Sequence, residues 1–260
     1  MNMPFPTISD EAGEKGADLA DWLQLAADMT AAAEALAGTA SADRSSRPQI
    51  VGLALLARSI GHMRAVPLLI KAERIVEART ITRNLFENMF LAVALSEDGA
   101  GTFKKLEADH DASRSKRGKL IAENTSSFSP AQITQVRARL EQLSKGKMLT
   151  PKNLAENTSV SQAYLVYAQL SGDSAHPSLD ALERHVVKDD SGRLVELALE
   201  PVGDPDEPQD TVGWACVALL GTLVATRDLT SATEVSSQID AVSRAYLHLQ
   251  KLGRSRSDTP

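Results

Sequence analysis

Ile75 to Ser96, IVEARTITRNLFENMFLAVALS, is the stretch that most limits what this chain can become. It holds no Pro or Gly, and apolar residues recur on nearly every side, so it predicts one helix of about six turns. A helix that is apolar all round belongs in the middle of a bundle. Stepping 3.6 residues per turn from Arg83 puts Val76, Phe86, Phe90 and Ala94 on its side, together with Arg79 and Glu87. Ile81, Leu85 and Ala92 fall opposite. Two arginines and a glutamate thus stand where Leu or Val is ordinary, and buried charge is the informative exception.

Composition agrees with helices. Aromatic residues make up only 4% of the 260 residues, while Ala and Leu, the strong helix formers, are abundant. The formal net charge of -6 speaks against a strongly basic nucleic-acid binder. The one cysteine, Cys216, lies in the apolar run WACVALL and reads as a small buried hydrophobe. The N-terminal MNMPFPTISDEAGEKG has neither a basic start nor an apolar core, so a secretory leader is not expected. The uncharged run 211–226 falls short of the roughly 20 residues of a membrane span, so it is expected to be a core helix in a cytoplasmic protein.

The expected architecture is all-α: a single bundle of about seven or eight helices around Ile75–Ser96. A lead-in covers residues 1–17, the helical domain 18–252, and a disordered tail 253–260. Asp18 to Leu36 is a helix with Trp22, Leu25, Met29 and Leu36 on one stripe and Gly38 as its stop. Gln49 to Ile70 is another, with Pro67 expected to kink or break it. The polar segment from Thr102 to Glu123 is expected to cover the bundle from outside. Ser129-Pro130 has the form of an N-cap with Pro at the first helical position. Thr158–Leu170, Thr211–Leu229 and Val235–Leu252 are the remaining long helices. Asp189-Asp190-Ser191-Gly192, flanked by His185–Val187 and Arg193–Ala198, is the turn of one small β-hairpin.

Two constellations stand out. Arg83 and Glu87 are four residues apart and share a helix face, with Arg79 one turn earlier. A structural ion pair that fixes helix register accounts for them equally. Then comes Tyr167-x-x-Leu170-Ser171, followed by His176-Pro177-Ser178. Proline disfavours helix for the residue before it, so His176 is held extended, as acid–base chemistry near neutral pH would use it. Helix capping by the same serines and His176 is the plainer account.

Taken together, Arg83-x-x-x-Glu87 and Tyr167-x-x-Leu170-Ser171…His176-Pro177-Ser178 resemble a bacterial all-helical family known only as a domain of unknown function, DUF5677, over about residues 50–185. The resemblance implies a helical fold and a shared pocket formed by Arg83, Glu87, Tyr167, Ser171 and His176. More distantly, it resembles small helical nucleotide-binding and ribonuclease domains of bacterial defence systems. Those carry Arg, four to six residues, then His. Here Arg58-x-x-x-His62 and Arg244-x-x-x-His248 are each one residue too short. His62 shares a face with Val51, Leu55 and Leu69 and reads as a core histidine. Glu107-x-x-His110 has di-iron spacing but no second copy, so no metal and no cofactor are expected.

Two functions follow from this reading. One is a helical interaction or sensing module, in stress or phage defence, with a buried Arg–Glu–His cluster. The other is a metal-independent phosphodiesterase or ribonuclease-like enzyme, with Arg83 on the phosphate, His176 as acid or base and Glu87 orienting them. Arg79, Tyr167 and Ser171 are the candidate ligand-binding residues. A second copy of the chain is a candidate partner through a spare apolar face that the sequence does not identify.

Overall fold

In the computed structural model, the residues described are 17–257 apart from 124–125, 144–145, 173–176 and 202, with the backbone alone for 253–257. Ten α-helices and one two-stranded antiparallel hairpin are present among them. The helices are α1 (Leu19–Thr39), α2 (Arg47–Lys71), α3 (Ile75–Glu97), α4 (Gly99–Glu123) and α5 (Pro130–Glu141). They continue with α6 (Pro151–Glu156), α7 (Tyr164–Leu170), α8 (Leu179–Glu183), α9 (Glu207–Thr230) and α10 (Ser236–Ser257). The strands β1 (Val186–Lys188) and β2 (Leu194–Leu197) lie between α8 and α9.

Local chemistry accounts for many of the boundaries. Asp18 caps α1 in a reciprocal box with Asp21, and Ser129 does the same for α5 with Gln132. Glu73 adopts a left-handed φ of 58°, which turns the chain tightly between α2 and α3. At the hairpin turn, Asp189 accepts hydrogen bonds from the backbone of Ser191 and Arg193, while Gly192 takes a φ of 80° that favours glycine. The Gly38 stop is overridden, since α1 continues to Thr39. Pro67 lies inside α2, which runs on to Lys71 unbroken: proline sacrifices one N–H bond there while tertiary packing holds the helix. The expected helix 158–170 is divided by a 3-10 turn at Ser161–Ala163. Helix α10 runs past Leu252 to Ser257.

The core forms around α3, α9 and α2. Arg79 of α3 meets Glu207 and Trp214 at the start of α9, and Met89 meets Gly221 further on, so α3 and α9 run in the same direction. A Cβ on Gly221 would sit 2.6 Å from the Met89 sulfur, so glycine lets these two helices approach. Helix α2 returns antiparallel to α3, and the Ser59 hydroxyl accepts from the Asn88 amide at 3.0 Å in the buried seam. Helix α1 lies on α2 and α9, and α10 closes over it with Tyr246 edge-on to Trp22. Helix α4 is peripheral, as its polarity implies: only Thr102 and Gly118 are buried, and Leu120 is exposed.

Helices α2 and α9 are long and apolar enough to cross a membrane by length and composition alone. This corrects the count made on the uncharged run 211–226, because α9 begins at Glu207 and α2 tolerates its few charges. Helix α9 owes its apolarity to its place in the core, where α1, α2 and α3 all pack on it.

Candidate functional site

Helix α3 is not covered on every side. Val76, Thr80, Arg83, Asn84, Glu87 and Leu91 form a half-buried stripe along it, while Leu85, Phe86, Met89 and Phe90 are fully buried. The polar members Thr80, Arg83, Asn84 and Glu87 recur at the helical spacing, a signal present in the sequence that the apolar reading passed over.

Arg79, Arg83 and Glu87 of α3 therefore separate into two centres. Arg79 is the only buried charged residue among those described, 1% exposed. Its partner is Glu207, with Nη1 3.4 Å from Oε1, and its guanidinium lies 5.0 Å from the centre of the Trp214 ring. Glu207 also takes two hydrogen bonds from Arg184, one from Nη1 at 3.0 Å and a shorter one from Nη2. The carboxylate sits at the first helical position of α9, ahead of Pro208, where the helix dipole favours negative charge. Asp210, one turn on, feels the crowding: burial first, then Asp206, raise its carboxyl above the usual carboxylate range. Neither Glu207 nor Arg184 was expected at the site. The only local signal for Glu207 was an acidic residue directly before a proline at a helix start.

Arg83 and Glu87 form the second centre, and it is partly open. Their side chains are 18% and 32% exposed, with Arg83 Nη2 3.1 Å from Glu87 Oε1. The expected grouping with Tyr167 and Ser171 is present. Arg83 Nε donates to the Ser171 hydroxyl at 2.8 Å, and Nη2 donates to the Tyr167 hydroxyl at 2.5 Å. The Tyr167 hydroxyl in turn donates to Glu87 Oε1 at 3.0 Å. The guanidinium also lies 4.7 Å from the centre of the Tyr167 ring. Phe90 stands edge-on to that ring at 5.8 Å, which ties the centre to the core.

The backbone around Ser171 is shaped for this. Helix α7 ends in a wider turn over Ser171 and Gly172. The Ser178 hydroxyl donates to the Gly172 carbonyl and accepts from the Ala181 N–H, capping α8. His176, expected in the pocket, lies outside the described residues. The proposed buried Arg–Glu–His cluster is thus corrected: the buried pair is Arg79 with Glu207, and no histidine takes part in it. His62 is half-buried rather than a core residue. Its Nε2 accepts from Arg58 Nε at 3.2 Å, and burial, then the Arg58 charge, hold its pKa below the ordinary imidazole range.

Burial, and then the Glu87 carboxylate, push the Tyr167 phenol above its ordinary value, against the opposing pull of Arg83. A raised folded-state pKa gives stability that is present below the unfolded value and lost as pH rises through the folded one. Tyr167 is therefore expected to ionise above the ordinary tyrosine range in an ultraviolet alkaline titration. Tyr167→Phe removes that high-pH component; a variant that keeps it would contradict this placement.

No group of three or more His, Cys, Asp or Glu side chains is placed to hold a metal among the described residues. A separate cleft of about 450 Å³ opens at the far end of α3, lined by Glu97, Asp98, Thr102, Lys105, Lys147 and Asn157. It is mixed in charge and does not include the arginine centres.

The fold and the site define an all-α domain whose central helix carries a sealed ion pair and, one turn away, a half-open Arg–Tyr–Glu–Ser centre. The model of a family of unknown function, DUF5677, matches residues 49–193, more than half of the chain, and the chain belongs to that family. The match spans α2 through the hairpin turn and so contains Arg83, Glu87, Tyr167, Ser171 and Arg184, while Glu207 lies beyond it. No curated protein and no solved structure matches the chain.

Proposed function

We propose that this chain is a helical sensing module that binds a small oxyanion ligand, carrying a phosphate or a carboxylate, at the Arg83 centre. One observation carries the reading. The Nε and Nη2 edge of Arg83 is fixed by Ser171, Tyr167 and Glu87, while Nη1 makes no hydrogen bond within the described protein and the side chain reaches solvent. A guanidinium held rigidly on one edge and open at its end is preorganised for an oxyanion. Glu87 Oε2 is also without a hydrogen bond within the described protein, so a ligand with a hydroxyl or amino donor beside its anionic oxygen satisfies both groups. The hydrolytic reading of the same centre depends on His176, which lies outside the described residues.

The test is thermal denaturation of the full chain against inorganic phosphate, a nucleoside monophosphate and an amino acid. A ligand present at 100 times its Kd stabilises the protein by about 2.7 kcal/mol, a readily measured rise in Tm. At least one of these classes is expected to raise the Tm saturably. Flat melting curves across all three would sink the proposal.

A further inference from the structure

The hairpin carries the most exposed apolar surface of the chain. In β2 and just after it, Val195 is 63% exposed, Leu197 66% and Leu199 91%. Leu194 in the same strand, and Leu179 and Leu182 of α8, which leads into β1, are exposed as well. At roughly 100 Å² for a Leu-sized side chain on the transfer scale, six such residues present about 600 Å². That stands at the upper end of what a monomer commonly leaves open, against the ~800 Å² per partner of a standard interface.

The strand also has a free edge. Val186 pairs with Leu197 and Val187 with Glu196, and the Ala198 N–H donates to the His185 carbonyl. Backbone groups in an antiparallel ladder alternate in direction. Glu196 and Ala198 thus aim theirs at β1, and Leu197 aims its own away from it; the register shifts between Val187 and Lys188, where Val195 falls between the paired Leu194 and Glu196. Among the described residues β2 has no other neighbour. The hairpin is held at its base, because Glu200 pairs with Arg74 ahead of α3 and Arg184 pairs with Glu207. An open, apolar, anchored edge is a template for another strand.

We propose that the occupant is a second copy of this chain, joined antiparallel through the outer edge of β2 about a two-fold axis. Such pairing must centre on a facing pair of identical residues within the strand. Centring on Glu196 sets two carboxylates directly opposite, which is destabilising. Centring on Leu197 instead opposes two apolar side chains, and Leu197 is the paired residue whose N–H and C=O point outward. The edge is self-complementary in hydrogen bonding, in shape class and in charge.

The test uses the full chain with one added cysteine. Cys216 is buried, and burial pushes its thiol pKa far up, so a new surface cysteine is the one reactive thiol. A facing hydrogen-bonded pair brings its Cα atoms to about 5.5 Å, within disulfide reach. Sedimentation of the wild type is expected to give twice the 27.8 kDa chain mass. Mild oxidation is expected to cross-link Leu197→Cys into a covalent dimer. Leu68→Cys, exposed on α2, is expected to stay uncross-linked. Far-UV circular dichroism checks that each variant is folded. A monomeric wild type at high micromolar concentration overturns the proposal. A dimer in which Leu197→Cys does not cross-link overturns it too, because that dimer uses another face.

Discussion

Glu207→Gln is expected to lower stability by about 3 kcal/mol or more, the cost of stripping the counter-charge from buried cations. Glu207 serves Arg79, 1% exposed, and Arg184 at once, so its neutral isostere leaves two guanidinium groups without their shared carboxylate. The replacement also loses a negative charge from the first turn of α9, where it is worth a further ~0.3–1 kcal/mol. Arg79→Met is expected to cost less, since Met occupies much of the same volume and Arg184 still holds Glu207. The double variant is expected to be more stable than the sum of the two losses predicts, because the partners are coupled. Urea denaturation of the three variants reads all of this. A Glu207→Gln loss below about 1 kcal/mol would show that the contact behaves as a surface pair.

Phe90→Ala is expected to be comparably severe, at about 3–5 kcal/mol, the usual range for deleting a buried phenylalanine side chain. Phe90 is fully buried on α3 and stands edge-on to Tyr167, which is itself nearly buried and holds Arg83. Its loss therefore opens a cavity in the core and frees the ring that positions the Arg83 centre. Two readouts should move together: the urea midpoint falls, and the Tyr167 ionisation shifts back toward the ordinary tyrosine range. A variant that loses stability while Tyr167 still ionises high would show that Phe90 supports the core but not the site.

How much of this was legible in the sequence follows from the range of each interaction. Local and periodic signals were: the unbroken α3, the cap at Ser129 and the hairpin turn at Asp189 to Gly192, whereas the grouping of Arg83 and Glu87 with Tyr167 and Ser171 came from the family resemblance. The i,i+4 rule identified Glu87 as the partner of Arg83. No such rule reaches from Arg79 to Glu207, which follows it by nearly half the chain. The sealed centre was consequently assigned to the wrong partners. The half-open stripe on α3 was written in Thr80, Arg83, Asn84 and Glu87 but masked by the apolar weight of the segment. Hydrophobic content says that a helix is buried; the spacing of its few polar residues says on which side it is not.

The two arginines, one turn apart on one helix, thus have different duties. Arg79 is enclosed and paired within the fold. Arg83 is braced along one edge and left open at its end, an arrangement that a merely structural pair does not require. The double role of Tyr167, which accepts from Arg83 and donates to Glu87, keeps both charged groups in place without neutralising the free end of either.

Melting of Arg83→Gln beside the wild type, in ligand-free buffer and with the stabilising oxyanion, tests this division most directly. The account predicts a ligand-free stability within about 1 kcal/mol of wild type, as for a partly exposed pair, and complete loss of the oxyanion-dependent rise in Tm. A variant that melts several kcal/mol lower without ligand, or one that keeps the full ligand-dependent rise, would contradict it. The first outcome makes Arg83 a clasp for α7, and the second places the ligand elsewhere.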